Sequence, residues 1–177
     1  MNLNYAKNKS IVCDMTTIVL ATKPTEIEII ATLAHTIWHE HYTSIIGAAQ
    51  VTYMVDKFQS QNSINQQIKE GYLYYIINYK NKAVGYLCIK KDKDDLFLSK
   101  IYIDKKYRGK KIGRTAMTFI ESCAKDMGCT TITLTVNKNN TNSIQAYQNM
   151  GFKSKGPIVI DIGNGFIMDD FKMVKPL

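Results

Sequence analysis

The spacing of apolar positions changes several times along the chain, and each change marks an element. Thr16 to Ala21 (TTIVLA) is a short β-branched run and predicts a first strand. From Pro24 the period lengthens. Ile27, Ile30, Leu33, Ala34 and Ile37 recur three and four residues apart, the apolar face of one helix. Pro24 suits its first turn, where the missing N–H would have no acceptor anyway. The pattern lapses over 38–47 (WHEHYTSIIG), which reads as a segment between two helices, crowded with Trp38, His39, Glu40, His41 and Tyr42. Helical spacing returns over about 48–58, through Val51, Met54, Val55 and Phe58, and again over about 62–70, through Ile64 and Ile68. Gly71 is placed to end that helix.

The middle of the chain turns to strands. Tyr72 to Tyr79 (YLYYIINY) and Ala83 to Lys90 predict an antiparallel hairpin turning at Asn81-Lys82. KKDKDD (90–95) reads as a charged, solvated loop, and Leu96 to Ile103 as the next strand. Ile112, Ala116, Phe119, Ile120, Cys123 and Met127 line a helix over 112–127 that Gly128 stops. Thr130 to Val136 (TTITLTV) is a strand, and Ser143 to Met150 a short helix ending at Gly151. Pro157–Ile162 and Phe166–Val174 flank Gly163-Asn164-Gly165, a strong hairpin signal. The order implies an α/β (α+β) fold, a mixed sheet with helices packed on it. Residues 1–15 read as a loose leader and 16–177 as a single domain.

Composition narrows the class. A chain of 177 residues, 45% hydrophobic and 21% charged, buries a full core as one globular domain. That excludes disorder and a disulfide-stapled mini-protein. The four cysteines form no CxxC pair and only three histidines accompany them, so no structural zinc site is expected. Met1 to Ser10 is polar, without an apolar signal region, and no apolar run approaches the roughly 20 residues of a membrane span. Free thiols and a cytoplasmic location are the expectation, with no membrane partner. The net charge of +8 asks for an anionic partner, unless the abundance of Lys, Asn and Ile reflects an AT-rich genome. The lysines are spread with acids interleaved and no nucleic-acid-binding signature is present, so a nucleic-acid partner is not expected.

One stretch carries chemistry. A strand ends in Asp104-Lys105-Lys106-Tyr107 and continues as Arg108-Gly109-Lys110-Lys111-Ile112-Gly113 into a long helix. A glycine-containing turn at a helix N-terminus makes an anion site, because the first N–H groups lack intrahelical acceptors and the macrodipole favours negative charge there. Its natural ligand is a phosphate or pyrophosphate. Neither the Walker pattern nor GxGxxG is present. Further on, Asn140, Ser143, Tyr147, Gly151 and Phe152 stand at the spacing Asn-x-x-Ser-x-x-x-Tyr-x-x-x-Gly-Phe.

Together these two motifs resemble the GNAT superfamily of acetyl-CoA-dependent N-acetyltransferases. The family's phosphate pattern, [Arg/Gln]-x-x-Gly-x-[Gly/Ala], maps onto Arg108, Lys111 and Gly113, with Lys111 in place of the central glycine. A non-glycine there would present its N–H from the right-handed helical region. The resemblance covers about residues 16–175. It implies a mostly antiparallel sheet of about seven strands, splayed at the cofactor cleft, with helices on both faces. It also implies acetyl-CoA as acyl donor. Backbone groups of Ile101, Tyr102 and Ile103 would meet its pantetheine arm and polarise the thioester carbonyl. Arg108, Gly109, Lys110, Lys111, Ile112, Gly113 and Arg114 would hold the pyrophosphate. Asn140 would hydrogen-bond the pantetheine, with Ser143 facing it.

The same resemblance assigns Tyr147 as general acid for the departing thiolate. An amine would attack the bound thioester directly, without an acyl-enzyme. His41, a residue type that can titrate near neutral pH, is a candidate base, with Glu40, Asp161 and a water chain as others. The segment 38–47 would wall the acceptor site, with Trp38 and Tyr42 packing it. The segments WHEHYTSIIG and DIGNGFIMDDF look like those of small bacterial acetyltransferases labelled as polyamine or diamine acetylating. Asp161, Asp169 and Asp170 then read either as attractors of a cationic amine or as solvated hairpin acids. The partners expected are acetyl-CoA or CoA and a small amine, and a homodimer is compatible with the family. The alternatives are a CoA-binding sensor without catalysis, or acetylation of a peptide amine.

Overall fold

The computed structural model describes residues 11–13 and 15–177. The leader expected over 1–15 lies mostly outside the described residues; of it, Ile11–Cys13 form a short strand, β1. The elements that follow are β2 (Thr16–Leu20), α1 (Pro24–Ile46), α2 (Ala48–Gln59), α3 (Gln61–Lys69), β3 (Leu73–Tyr79), β4 (Lys82–Asp92), β5 (Asp95–Ile103), a 3-10 turn (Lys105–Tyr107), α4 (Ile112–Asp126), β6 (Thr131–Asn137), α5 (Thr141–Asn149), β7 (Lys153–Gly163) and β8 (Phe166–Pro176). They build one eight-stranded sheet in the order β1-β2-β3-β4-β5-β6-β8-β7. Every neighbouring pair is antiparallel except β5 and β6.

Three local readings are corrected. The segment 38–47 is not a break: α1 runs unbroken to Ile46. Its apolar face continues through Trp38, Tyr42 and Ile46 at helical spacing, although the polar residues between them dilute it. The charged run 90–95 is not a loop, since strands β4 and β5 reach Asp92 and Asp95 and turn through Lys93-Asp94. The first hairpin turns one residue earlier than expected, at Lys80-Asn81, both with positive φ, between the paired Tyr79 and Lys82.

Two apolar layers hold the helices on opposite faces of the sheet. On one face α4 packs Ile112, Ala116, Phe119, Ile120 and Cys123 against Tyr75, Leu87, Leu96 and Ile132. Phe119 meets Tyr75 edge-on at 5.0 Å between ring centres. On the other face α1, α2 and α3 cover Tyr74, Ile76, Tyr86 and Cys88. Helix α1 starts where it does because Glu26 accepts the free N–H groups of Thr22 and Lys23, at 2.7 and 2.9 Å. The hairpin β7–β8 is pinned to α2 near its tip. Tyr53 Oη and Lys57 Nζ donate to the Ile162 carbonyl, and Gln50 donates to that of Ile167.

The parallel pair β5–β6 is short. Only Asp95, Leu96 and Phe97 pair with Thr131, Ile132 and Thr133. Beyond that point β5 stays with β4 through Ile103, while β6 stays with β8 through Asn137. The two halves of the sheet therefore part company, and the edge of β5 from Leu98 to Ile103 faces β6 without strand pairing. Asp95 pins the base of this fork, taking the hydroxyls of Thr131 (2.6 Å) and Thr133 on its two carboxylate oxygens. Asp95→Ala leaves both hydroxyls without that acceptor. It is expected to lower unfolding stability by about 1–3 kcal/mol, read from the urea midpoint.

Candidate active site

The open fork ends at the loop singled out from sequence. Ile103, Tyr107, Arg108, Gly109, Lys111, Ile112, Gly113 and Arg114 line one cavity of about 380 Å³. The N–H groups of Ile112 and Gly113, in the first turn of α4, have no intrahelical acceptor and supply donors there. Of the loop residues expected to hold phosphate, Lys110 alone is outside the lining; its Nζ stands 5.9 Å from the ring centre of Tyr79. Arg108 turns its Nε to the Ile103 carbonyl at 3.1 Å, which ties the loop to the end of β5.

Lys111 departs from expectation. Its backbone is left-handed, φ 61° and ψ 3°, not right-handed helical. The lysine thus keeps the conformation a glycine adopts freely, at a cost of roughly 1–2 kcal/mol. From there its carbonyl starts the helix by accepting Arg114 N–H (3.0 Å) and Thr115 N–H (3.1 Å). The cavity fits a pyrophosphate: unpaired N–H groups, cationic side chains and a backbone without bulky side chains at Gly109 and Gly113.

A second glycine matters, and the sequence reading passed over it. A Cβ on Gly85 of β4 would lie 2.3 Å from the Tyr102 carbonyl oxygen and 3.2 Å from the Ile103 Cα. Both are backbone atoms of the β5 segment expected to meet the cofactor, and neither can swing aside. A glycine inside a strand is the available signal for such an approach.

Across the fork stands α5. Asn140 caps it, its Oδ1 accepting Ser143 N–H at 3.4 Å. That bond fixes the amide, so Nδ2 points the other way and donates to His41 Nε2 at 3.2 Å and to Tyr42 Oη at 3.5 Å. Asn140 is 3% exposed. His41 and Tyr42 belong to α1, so one amide joins the two walls of the fork. Burial lowers the His41 pKa, and the Arg108 charge lowers it further. At neutral pH the ring is unprotonated, with its Nε2 lone pair already engaged.

Tyr42 is the hub of this wall. Its ring lies 4.6 Å from Trp38, 4.7 Å from His41 and 6.2 Å from Tyr102. Its hydroxyl meets that of Tyr102 and is in electrostatic reach of Tyr147 and Asp170. Tyr147 is half-buried, edge-on to Phe152 at 5.6 Å. Burial, and secondarily Tyr42, raises its pKa, so the phenol keeps its proton throughout the working range. The three hairpin acids separate. Asp161 is exposed and caps Gly163 N–H at 2.7 Å, Asp169 pairs with Lys138, and Asp170 is buried. Ser143 lies beneath Asn140 in the first turn of α5, and Glu40 is exposed.

The model of the Acetyltransferase (GNAT) family matches residues 30–152 of the chain, more than half of it. The chain belongs to the GNAT family. Solved structures share the fold. A PaiA N-acetyltransferase from Thermoplasma acidophilum, in complex with coenzyme A, is 21% identical with a TM-score of 0.73, covering 90% of this chain and 99% of that one. A GNAT acetyltransferase from Staphylococcus aureus is 18% identical with a TM-score of 0.69, over 92% and 99%. One from Elizabethkingia anophelis with acetyl-CoA bound is 16% identical with a TM-score of 0.64, over 93% and 100%. Comparison with curated proteins gives no match. The GNAT chain is therefore an acetyl-CoA-dependent acyltransferase with a mostly antiparallel sheet and helices on both faces. Among the described residues no helix is long and apolar enough to cross a membrane.

Two substitutions test this half of the site. Lys111→Gly removes the left-handed strain and is expected to raise stability by about 1 kcal/mol. Losing one exposed cation should weaken acetyl-CoA binding about fivefold or less, and the difference should shrink with added salt. Thermal unfolding and a calorimetric titration at two ionic strengths read both effects. Gly85→Ala, by contrast, has to push β5 aside at Tyr102. It is expected to cost about 1–3 kcal/mol of stability and to weaken acetyl-CoA binding more than Lys111→Gly does.

Proposed function

We propose that this GNAT enzyme transfers the acetyl group of acetyl-CoA to a primary amine on a small molecule, by direct attack within a ternary complex. The observation that carries the reading is the position of Tyr147. Its phenol stays protonated, makes no hydrogen bond to protein among the described residues, and shares the fork with Tyr42 and Tyr102. An acid so placed can protonate the thiolate that leaves the tetrahedral intermediate.

The remaining roles follow from the elements that hold them. The cavity at Arg108 to Arg114 takes the pyrophosphate. The unpaired edge of β5 at Ile101, Tyr102 and Ile103 takes the pantetheine arm, and an N–H there polarises the thioester carbonyl. Asn140 and Ser143 face the same arm from α5. The aromatic wall of Trp38, Tyr42 and Tyr102 borders the acceptor side, where the body of an amine can lie against rings. Polyamines and diamines are within the class it accommodates. His41 contributes as an orienter of Asn140 and not as the base, because its Nε2 already accepts from that amide.

The test is thiol release from acetyl-CoA with a panel of polyamines, amino acids, aminoglycosides and short peptides, with products identified by mass. One amine class should stimulate release and yield an acetylated product. Tyr147→Phe is expected to lower kcat about a hundredfold while leaving acetyl-CoA affinity within about threefold. An unchanged kcat across the pH range removes Tyr147 from the acid role. A protein that binds acetyl-CoA tightly but is stimulated by no amine is a binding module instead.

A further inference from the structure

Strand β8 carries a buried carboxylate that no cation among the described residues balances. Asp170 is 8% exposed, and no lysine or arginine among the described residues pairs with it. Its chain neighbour Asp169 takes the ammonium of Lys138. On β8, Asp170 lies across from Asn137, the last residue of β6, and from Ile158 of β7. Strand parity puts Asp170 on the same face as Met168 and Phe166, which pack on the α1–α2 side. The groups around it are few. Thr135 of β6 donates a hydrogen bond, Tyr42 of α1 is in electrostatic reach with His41 beside it, and Asp169 is the nearest like charge. Lys172, two residues on, is exposed.

Burial favours the neutral form of such a carboxylate unless hydrogen bonds or a cationic ligand compensate its charge. We propose that Asp170 binds the acceptor amine as its ammonium and removes the proton that keeps it from attacking. The proposal rests on the amine-acetylating reading above and names the group that reading lacked. The other candidate side chains are disposed of by geometry, and a water chain as base is the outcome in which Asp170→Asn changes nothing. Glu40 is exposed, Asp161 caps its own turn, and His41 has given its lone pair to Asn140. Asp170 and the acid Tyr147 share one neighbour, the Tyr42 hydroxyl. In the sheet Asp170 pairs with Asn137, three residues before the Asn140 whose amide holds Tyr42. The rings of Tyr42 and Tyr102, backed by the buried Trp38, complete the site, with π-faces suited to a cation and an apolar wall suited to its carbon chain.

The protons balance. The ammonium passes one proton to the Asp170 carboxylate. The freed nitrogen pair forms the C–N bond to the thioester carbon, and the carbonyl electrons move to oxygen. On collapse the C–S bond breaks and the sulfur takes the Tyr147 proton. The nitrogen gives up its second proton, which restores Tyr147, and Asp170 releases its own to solvent. The sum is an ammonium and acetyl-CoA in, an N-acetyl amide, CoA and one proton out.

The pH dependence has a sign. Burial raises the Asp170 pKa above the ordinary carboxylate value, opposed by the Thr135 hydrogen bond. The base form is lost as pH falls through that raised value, so kcat/KM for an alkylamine has an acid limb and a plateau above it. Without the carboxylate the enzyme depends on amine already free in solution. The rate then climbs tenfold per pH unit toward the amine pKa, near 10 for an alkylamine.

The experiment compares wild type with the isosteric Asp170→Asn, using benzylamine and aniline. The two acceptors are similar in shape, but at pH 7 benzylamine is an ammonium and aniline is neutral. Asp170→Asn is expected to lower kcat/KM for benzylamine about a hundredfold at pH 7, to turn the plateau into a slope, and to change aniline acetylation by less than about threefold. Benzylammonium binding is read independently from the fluorescence of Trp38, the only tryptophan. It should perturb the wild type and not the variant. Equal loss for both amines, or no loss for either, overturns the role of Asp170. So does wild-type fluorescence that benzylammonium leaves unchanged. Binding that depends on Asp170 without any acetyl transfer keeps the ammonium site and removes the amine-acetylating reading instead.

Discussion

The whole site depends on how little β5 and β6 pair. Parallel strands that hydrogen-bond along their full length would close the sheet and leave no backbone donors for a ligand. Here the ladder holds for three residue pairs and then stops, with Asp95 fastening its base through two threonine hydroxyls. Everything above that clamp is a fork, and each tine is kept straight by its other neighbour, β4 for β5 and β8 for β6. Gly85 lets β4 press closely on β5 at Tyr102, opposite the unpaired edge. The loop over Arg108 to Gly113 then caps the tip of the fork with a helix N-terminus. An extended ligand with an anionic end suits this geometry for elementary reasons: amide groups along its length meet an open strand edge, and its phosphates meet free N–H groups.

Much of this was legible in the sequence, because the relevant signals are local. The strand–turn–helix at Asp104 to Ile112 and the spacing from Asn140 to Phe152 are short-range patterns, and each sits on the element it predicts. The misreadings share a cause. The segment 38–47 looked like a break because His39, Glu40 and His41 interrupt the apolar face, yet the helix needs only Trp38, Tyr42 and Ile46 to stay packed. Lys111 looked right-handed because left-handed lysines are rare; only the loop's tertiary setting forces the conformation. The acids of β8 illustrate a different limit. Asp169 and Asp170 are adjacent, and a strand sends neighbours to opposite faces. Which one turns inward depends on register with β6, and that register is set by long-range pairing absent from the local sequence.

A buried cation on the β5 tine shows how a charge in this core is held without an ion pair. Lys100, on β5 and 7% exposed, has no carboxylate partner among the described residues. Its ammonium rests on Gln67 Oε1 at 2.7 Å, near Ser99 Oγ and over the rings of Tyr74 and Tyr72. Burial pulls its pKa down. Donor and acceptor counts are satisfied there by neutral groups, so the lysine is stable without a counter-ion. The contrast with Asp170 is informative. Lys100 is caged by partners that spend its donors, whereas Asp170 has the Thr135 hydroxyl and, among the described residues, no cation.

Asn140 makes the two halves of the fork interdependent. Its carbonyl caps α5, which carries Tyr147, and its amide nitrogen holds His41 and Tyr42 on α1. Any shift of this amide therefore reaches α1 as well as α5. The neutral state of His41 is part of the arrangement. Protonation at Nε2 would set a donor against the Asn140 donor and break the link, and burial together with the Arg108 charge resists that protonation. Arg108 itself lines the phosphate cavity. An anion placed there would offset part of the charge that depresses the histidine.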